Sequence, residues 1–160
     1  MAMDMFLTLE PIKGESRDKT YKDKIDVLAW SWGMSNSGSA QLGGGMGAGK
    51  VNVQDISLTK WIDAASCDLM KSCCNGKHFG EGKLIVRKAG ETPLEYLIIT
   101  MTDVIITSVS TGGSGGEDRL TENVSLNFAK VNVKYAQQEK TGAGGAAPEM
   151  TWNIAENTDA

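Results

Sequence analysis

Residues Leu120–Tyr135 read LTENVSLNFAKVNVKY, and the spacing of apolar side chains in this run decides the architecture. Val124, Leu126 and Phe128 recur at every second position, the period of a strand with one buried face. Val131, Val133 and Tyr135 recur at the same period but one residue out of phase. A flat strand satisfies only one phase, because a one-residue slip sends every side chain to the opposite face. A β-bulge, or a bend where the strand crosses a barrel corner, reconciles the two halves. The same slip separates Val51 and Val53 from Ile56 and Leu58. Long bent strands favour a closed barrel or two tightly packed sheets over an open sheet.

Working outward, most of the remaining sequence also reads as strand. Met5, Leu7 and Leu9 alternate with more polar neighbours, and IDVLAWSWGMS (Ile25–Ser35) is a long β-type run. KLIVRK, LEYLIIT and DVIITSV follow as strands, the first two joined by AGETP (Ala89–Pro93), a hairpin loop of the glycine-containing kind. The one helix expected is DAASCDLMKSCCNG, about residues 64–75, capped by Asp63 or Ser66 and stopped by Gly76. Its stripe of Leu69, Met70, Cys73 and Cys74 should pack on the barrel, with the thiols free and buried. MTWNI (Met150–Ile154) should dock back as a terminal strand after a glycine-rich linker. The expected fold is mainly β: a β-barrel of two packed antiparallel sheets with one flanking α-helix.

The bulk properties narrow the function. The chain has 160 residues, 41% of them hydrophobic, which suits a single domain over residues 1–160 with a sizeable core. A formal net charge of -4 and the lack of a basic run argue against nucleic acid as a partner. No stretch of apolar residues is long enough to span a membrane, so membrane insertion is not expected. The N-terminus MAMDMFLTLEP carries Asp4 and Glu10 and lacks a basic leader, so synthesis in the cytoplasm without a cleaved signal peptide is expected. Cys67, Cys73 and Cys74 are odd in number and crowded into one segment, unlike a disulfide framework, and their spacing does not suit a metal site.

Reactive constellations are scarce. GGGMGAGKV (Gly43–Val51) imitates the phosphate-binding pattern G-x-x-x-x-G-K-[ST] with Gly44, Gly49 and Lys50. It places Val51 where a hydroxyl must hold magnesium, and an alternating β-type run follows where a helix must begin. His78 is the sole histidine available to activate a serine or cysteine, and no G-x-S-x-G turn is present. Glu117 and Asp118 are neighbours, so on a strand they would point to opposite faces rather than share a substrate. Neither an enzyme nor a cofactor is expected.

Four phrases carry more information than these counts. KIDVLAWSWGMSNSGS (Lys24–Ser39), SVSTGGSGGEDRLTENVSLNFAKVNVKY (Ser108–Tyr135), MFLTLEPIKGES (Met5–Ser16) and GKHFGEGKLIVRKAG (Gly76–Gly90) together resemble the Hcp family, the haemolysin-coregulated tube subunits of the bacterial type VI secretion system. The resemblance covers nearly the whole chain. It implies a fold similar to phage tail-tube subunits, assembled as homohexameric rings that stack into a hollow tube. Effector proteins in the lumen, together with sheath and tip (spike) proteins, are the implied partners, and the subunit leaves the cytoplasm through the type VI apparatus. Some members carry a C-terminal toxin domain; none is expected here.

Residue roles follow from that frame. Read as strand, WSW puts Trp30 and Trp32 in the core with Val124, Leu126 and Phe128, and turns Ala29 and Ser31 to the opposite face. Ser31 and Ala29 are then candidates for cargo contact in the lumen; the alternative is a small residue facing solvent or a ring neighbour. The segment Gly43, Gly44, Gly45, Met46, Gly47, Ala48, Gly49 and Lys50 would be an arm reaching an adjacent subunit or the next ring. Glu117, Asp118, Arg119 and Glu122 would lie at a subunit boundary, where opposite charges fix register. A monomeric β-barrel module with a small-ligand pocket is the competing reading, and sizing in solution separates the two.

Overall fold

The computed structural model describes residues 3–37, 50–137 and 147–159. In chain order the elements are β1 (Met3–Thr8), β2 (Ile25–Asp26), β3 (Ala29–Ser31), β4 (Met34–Ser35), β5 (Asn52–Val53), β6 (Ile56–Trp61), α1 (Ser66–Asn75), β7 (His78–Lys88), β8 (Leu94–Thr111), β9 (Thr121–Tyr135) and β10 (Glu149–Asn153). Antiparallel pairing runs β2-β1-β7-β8-β9-β6-β3, with β10 also on β9, while β4 and β5 form a separate hairpin. β6 and β10 pair with successive halves of β9, residues 121–126 and 130–134 respectively. The expected mainly β architecture is therefore present as one long sheet that curls on itself. The two ends of the pairing order meet at consecutive residues. Val27 donates its N–H to the carbonyl of Met5 in β1 at 2.9 Å, and Leu28 donates to Thr59 in β6 at 2.8 Å.

The phase slip in β9 is accommodated by three strands together. Phe128 and Val131 are both buried, so the inward phase changes between them. β8 changes phase at the matching place, from Met101 to Val104, and the pairs Thr102↔Lys130 and Val104↔Phe128 keep a common register. Asp103 stands at the slip with φ 56, a left-handed conformation that asparagine and aspartate tolerate better than most residues. Gly80 of β7 lies next in line, between the pairs Phe79↔Val104 and Glu81↔Thr102. The carbonyl of Ala129 is taken by the N–H of Ile154 at 2.8 Å, which ties the end of β10 onto this crease. A separate bulge in β8 lies between Ile106 and Ser108. The Val51–Leu58 slip has a different resolution: the chain breaks into β5 and β6, which belong to different sheets.

The helix begins at Ser66, within two residues of the expected start, and ends at Gly76 with φ 67, where the cap N–H reaches Ser72. No side chain caps α1 itself. The hydroxyl of Ser66 instead accepts from the N–H of Asp63, and Asp63 accepts from Ala65. Ser66, Leu69 and Ser72 face inward, while Met70, Cys67 and Cys74 are exposed and Cys73 is half-buried. The expectation of buried thiols is corrected here. The helix is rotated so that its two inward serines, not its cysteines, flank Leu69.

The loop between β1 and β2 folds over the outer side of β1 and β7. Gly14 lets it approach β2, since a Cβ there would stand 2.5 Å from the Lys24 carbonyl oxygen. Tyr21 stacks on Phe6 with ring centroids 4.9 Å apart, and the Arg87 guanidinium lies over both rings. Arg87 also donates to Asp18 and Asp4. The Arg87 hydrogen bond holds the Asp18 carboxyl down at about 2 against an ordinary 3.8. A depressed carboxylate contributes stability fully above its unfolded value and loses it as pH falls through the folded one. Acid unfolding should therefore include a component between about pH 4 and 2, on the order of 2 kcal/mol. Denaturant melts of wild type and Asp18→Asn along a pH series check this, since the variant should lack that component.

Candidate functional site

The inward phase of β6 and β9 is apolar: Ile56 and Leu58 on one strand, Val124, Leu126 and Phe128 on the other, all buried. Alternation then puts the intervening residues on the opposite face, where the strands carry short, uncharged side chains. Register aligns them in rows. Ser31 lies opposite Ser57, Ser57 opposite Ser125, and Ser125 opposite Ser108 across four strands. The next row is Ala29, Thr59, Asn123 and Ser110. Within the rows Thr59 donates to Asn123 at 2.8 Å, and the hydroxyls of Ser57 and Ser125 are 3.4 Å apart. Ala29, Ser31, Ser57, Asn123, Ser108 and Ser110 are exposed. Pairing thus makes a smooth hydroxyl-rich wall, with Ser31 and Ala29 at its β3 edge.

One pair in the inward phase is not apolar. Lys60 of β6 is 0% exposed and sits directly opposite Glu122 of β9, which is 1% exposed. The ammonium donates to Glu122 Oε1 at 2.5 Å, to Asp63 at 2.9 Å and to the carbonyl of Trp61 at 2.7 Å. Ser66 at the start of α1 donates to the same Glu122 oxygen at 2.7 Å, which fastens the helix to the sheet. Glu122 Oε2 is buried without a hydrogen-bond partner. Glu122 therefore does not belong with the proposed boundary residues: a side chain with no accessible surface presents nothing to a neighbour. The signal for this cluster was in the alternation, because Lys60 follows Ile56 and Leu58 in phase and Glu122 precedes Val124 and Leu126.

The other expected sites are distributed as follows. Glu117, Asp118 and Arg119 are exposed on the loop entering β9, where Glu117 N–H bonds the Ser114 carbonyl and the Arg119 guanidinium lies 4.8 Å from the Trp61 ring centroid. Gly43, Gly44, Gly45, Met46, Gly47, Ala48 and Gly49 lie outside the described residues, and Lys50 is exposed just before β5. Trp30 and Trp32 were expected in the core; both are only half-buried against it. Trp32 lies beyond the end of β3, where strand alternation no longer applies, and its indole N–H donates to the Gln54 carbonyl at 2.9 Å. His78 pairs with Asp103 at 2.9 Å on the exposed edge of β7. Among the described residues no group of three or more His, Cys, Asp or Glu is placed to hold a metal ion, and no helix is long and apolar enough to cross a membrane.

This arrangement has counterparts among known proteins. The family model described as type VI secretion system effector, Hcp, matches residues 6–135. Protein hcp1 of Pseudomonas aeruginosa is 59% identical over the full length of both chains. The crystal structure of Hcp1 from Salmonella typhimurium superposes with a TM-score of 0.84 at 37% identity, covering 100% of both chains. A structure described as a type six secretion system protein reaches a TM-score of 0.92 at 28% identity, covering 98% of this chain and 99% of that one. The chain belongs to the Hcp family of type VI secretion system proteins.

Proposed function

We propose that this chain is a structural tube subunit, one domain that forms homohexameric rings stacking into a hollow conduit for effector proteins. The observation that carries the reading is the four-strand wall of small, uncharged side chains. Such a wall fits a lumen: short hydroxyls hydrogen-bond a passing polypeptide and offer few ionic contacts to arrest it. Ser31 and Ala29 are the cargo-contacting residues, and effectors bound there make the ring a carrier as well as a pipe. The exposed Glu117, Asp118 and Arg119 orient neighbouring subunits, with each exposed pair contributing about 0.2–1 kcal/mol. Ring closure needs one head-to-tail contact and stacking a second that does not close. Sheath and tip proteins complete the apparatus, which exports the subunit from the bacterial cell.

Negative-stain microscopy of the purified protein tests the assembly, with rings having an open centre as the expected result. Replacing Ser31 with Gln extends a longer side chain over the wall. Rings should remain intact while effector recovered with them falls severalfold. Loss of rings in this variant would instead make Ser31 a packing residue. A second reading has its own observation: an apolar pocket of about 390 Å³ bounded by Trp32, Met34, Val53, Val131, Met150 and Trp152. That volume suits a small ligand. A chain of 17.1 kDa that sediments as a monomer at every concentration would favour this binding module over the tube.

A further inference from the structure

The wall is neutral except at one place. Along the outward positions 29–31 of β3, 55–59 of β6 and its entry, 123–127 of β9 and 107–110 of β8, the one ionisable side chain is Asp55, the residue immediately before β6. Its Oδ2 accepts from the Thr107 hydroxyl of β8 at 2.7 Å and its Oδ1 from the Asn127 amide of β9 at 2.8 Å. Both donors are uncharged, and among the described residues no lysine, arginine or histidine pairs with Asp55. The carboxylate is thus held in place by side chains of two other strands while its charge stays uncompensated. Each carboxylate oxygen has a further lone pair to offer. On the same face Lys130 follows Asn127 by three residues along β9, and Arg119 lies over Trp61 at the far end of β6; neither forms an ion pair with Asp55. Six residues of extended chain separate Asp55 from Trp61, roughly 20 Å.

We propose that Asp55 is the residue by which this wall selects its cargo, favouring polypeptide segments that present lysine or arginine. The inference rests on the lumen reading above, in which six copies would set six such carboxylates around one axis. A cationic side chain gains a charge-assisted hydrogen bond at Asp55 that a neutral or acidic one cannot make. Serine and threonine hydroxyls elsewhere on the wall accept any polar backbone and so do not discriminate. Attraction of this kind weakens with salt, because an exposed charge is screened over about 8 Å at physiological ionic strength.

The test uses assembled rings, verified as open-centred by microscopy, with three labelled peptides of equal length: lysine-rich, serine-rich and glutamate-rich. Fluorescence anisotropy should show wild-type rings holding the lysine peptide roughly fivefold more tightly than the serine peptide, as an exposed ion pair near 1 kcal/mol implies. Raising salt should erase the preference. In Asp55→Asn, close in shape to the native residue, the preference should vanish at all salt concentrations. Asp55→Ser, which shortens the side chain, should behave alike. Intact wild-type and variant rings with the same peptide preference overturn the role of Asp55 and leave the tube reading standing. Wild-type protein without open-centred rings removes both. A purely structural role for Asp55 would alter stability but not discrimination between peptide charges.

Discussion

Lys60→Met should cost about 3–5 kcal/mol of folding stability, the usual consequence of leaving one member of a buried ion pair behind. The methionine fills the same space, but the carboxylate of Glu122 is then sealed inside with only Ser66 donating to it. Asp63, whose side chain is 4% exposed, loses the same partner. The loss should be visible as a lower midpoint in urea with an unchanged slope. Removing both charges in Lys60→Met with Glu122→Leu should recover much of it, since a well-packed apolar pair often equals or exceeds a buried ionic one. A single-variant loss below about 1 kcal/mol would place this pair in the class of weak surface bridges and contradict its burial.

Phe128→Ala should be comparably damaging, at about 3–5 kcal/mol. Phe128 is 3% exposed, the last inward residue of β9 before the phase changes, and its ring leans on Trp32 with centroids 6.2 Å apart. Truncation removes packing at the point where the wall folds, beside Val104 and below the Ala129 carbonyl that anchors Ile154. Lys134→Ala, on the same strand but exposed, should stay within about 0.5 kcal/mol of wild type. Equal losses in the two variants would mean that β9 is not divided as described.

These residues also mark how far the sequence could be read. The alternation of Val124, Leu126 and Phe128 against Val131 and Val133 announces a bend, and the strand changes its inward phase between Phe128 and Val131. Which partners bend with it was not legible, because Gly80 and Asp103 enter only through cross-strand register. The Val51–Leu58 slip looked identical in sequence but separates two strands, since alternation does not distinguish a bent strand from a break. Ala29 and Ser31 were legible as an outward pair. Their companions Ser57, Ser125 and Ser108 were not, because rows of a wall exist only after strands pair. Lys60 and Glu122 were missed for a physical reason. A charge at an inward position reads as an error until the opposite charge is found facing it. The Trp32 expectation failed because the strand ended one residue too soon.

The junction at Val27 and Leu28 has a mechanical consequence. Two successive peptide N–H groups bond, the first to β1 and the second to β6, so the cylinder is clasped by a link about 3.8 Å long. A clasp of that length leaves no slack: an extra residue would force one of the two bonds open, and sliding the rims past each other would break both. The girth of the barrel is accordingly held by backbone hydrogen bonds a fixed distance apart rather than by the softer adjustments of side chains.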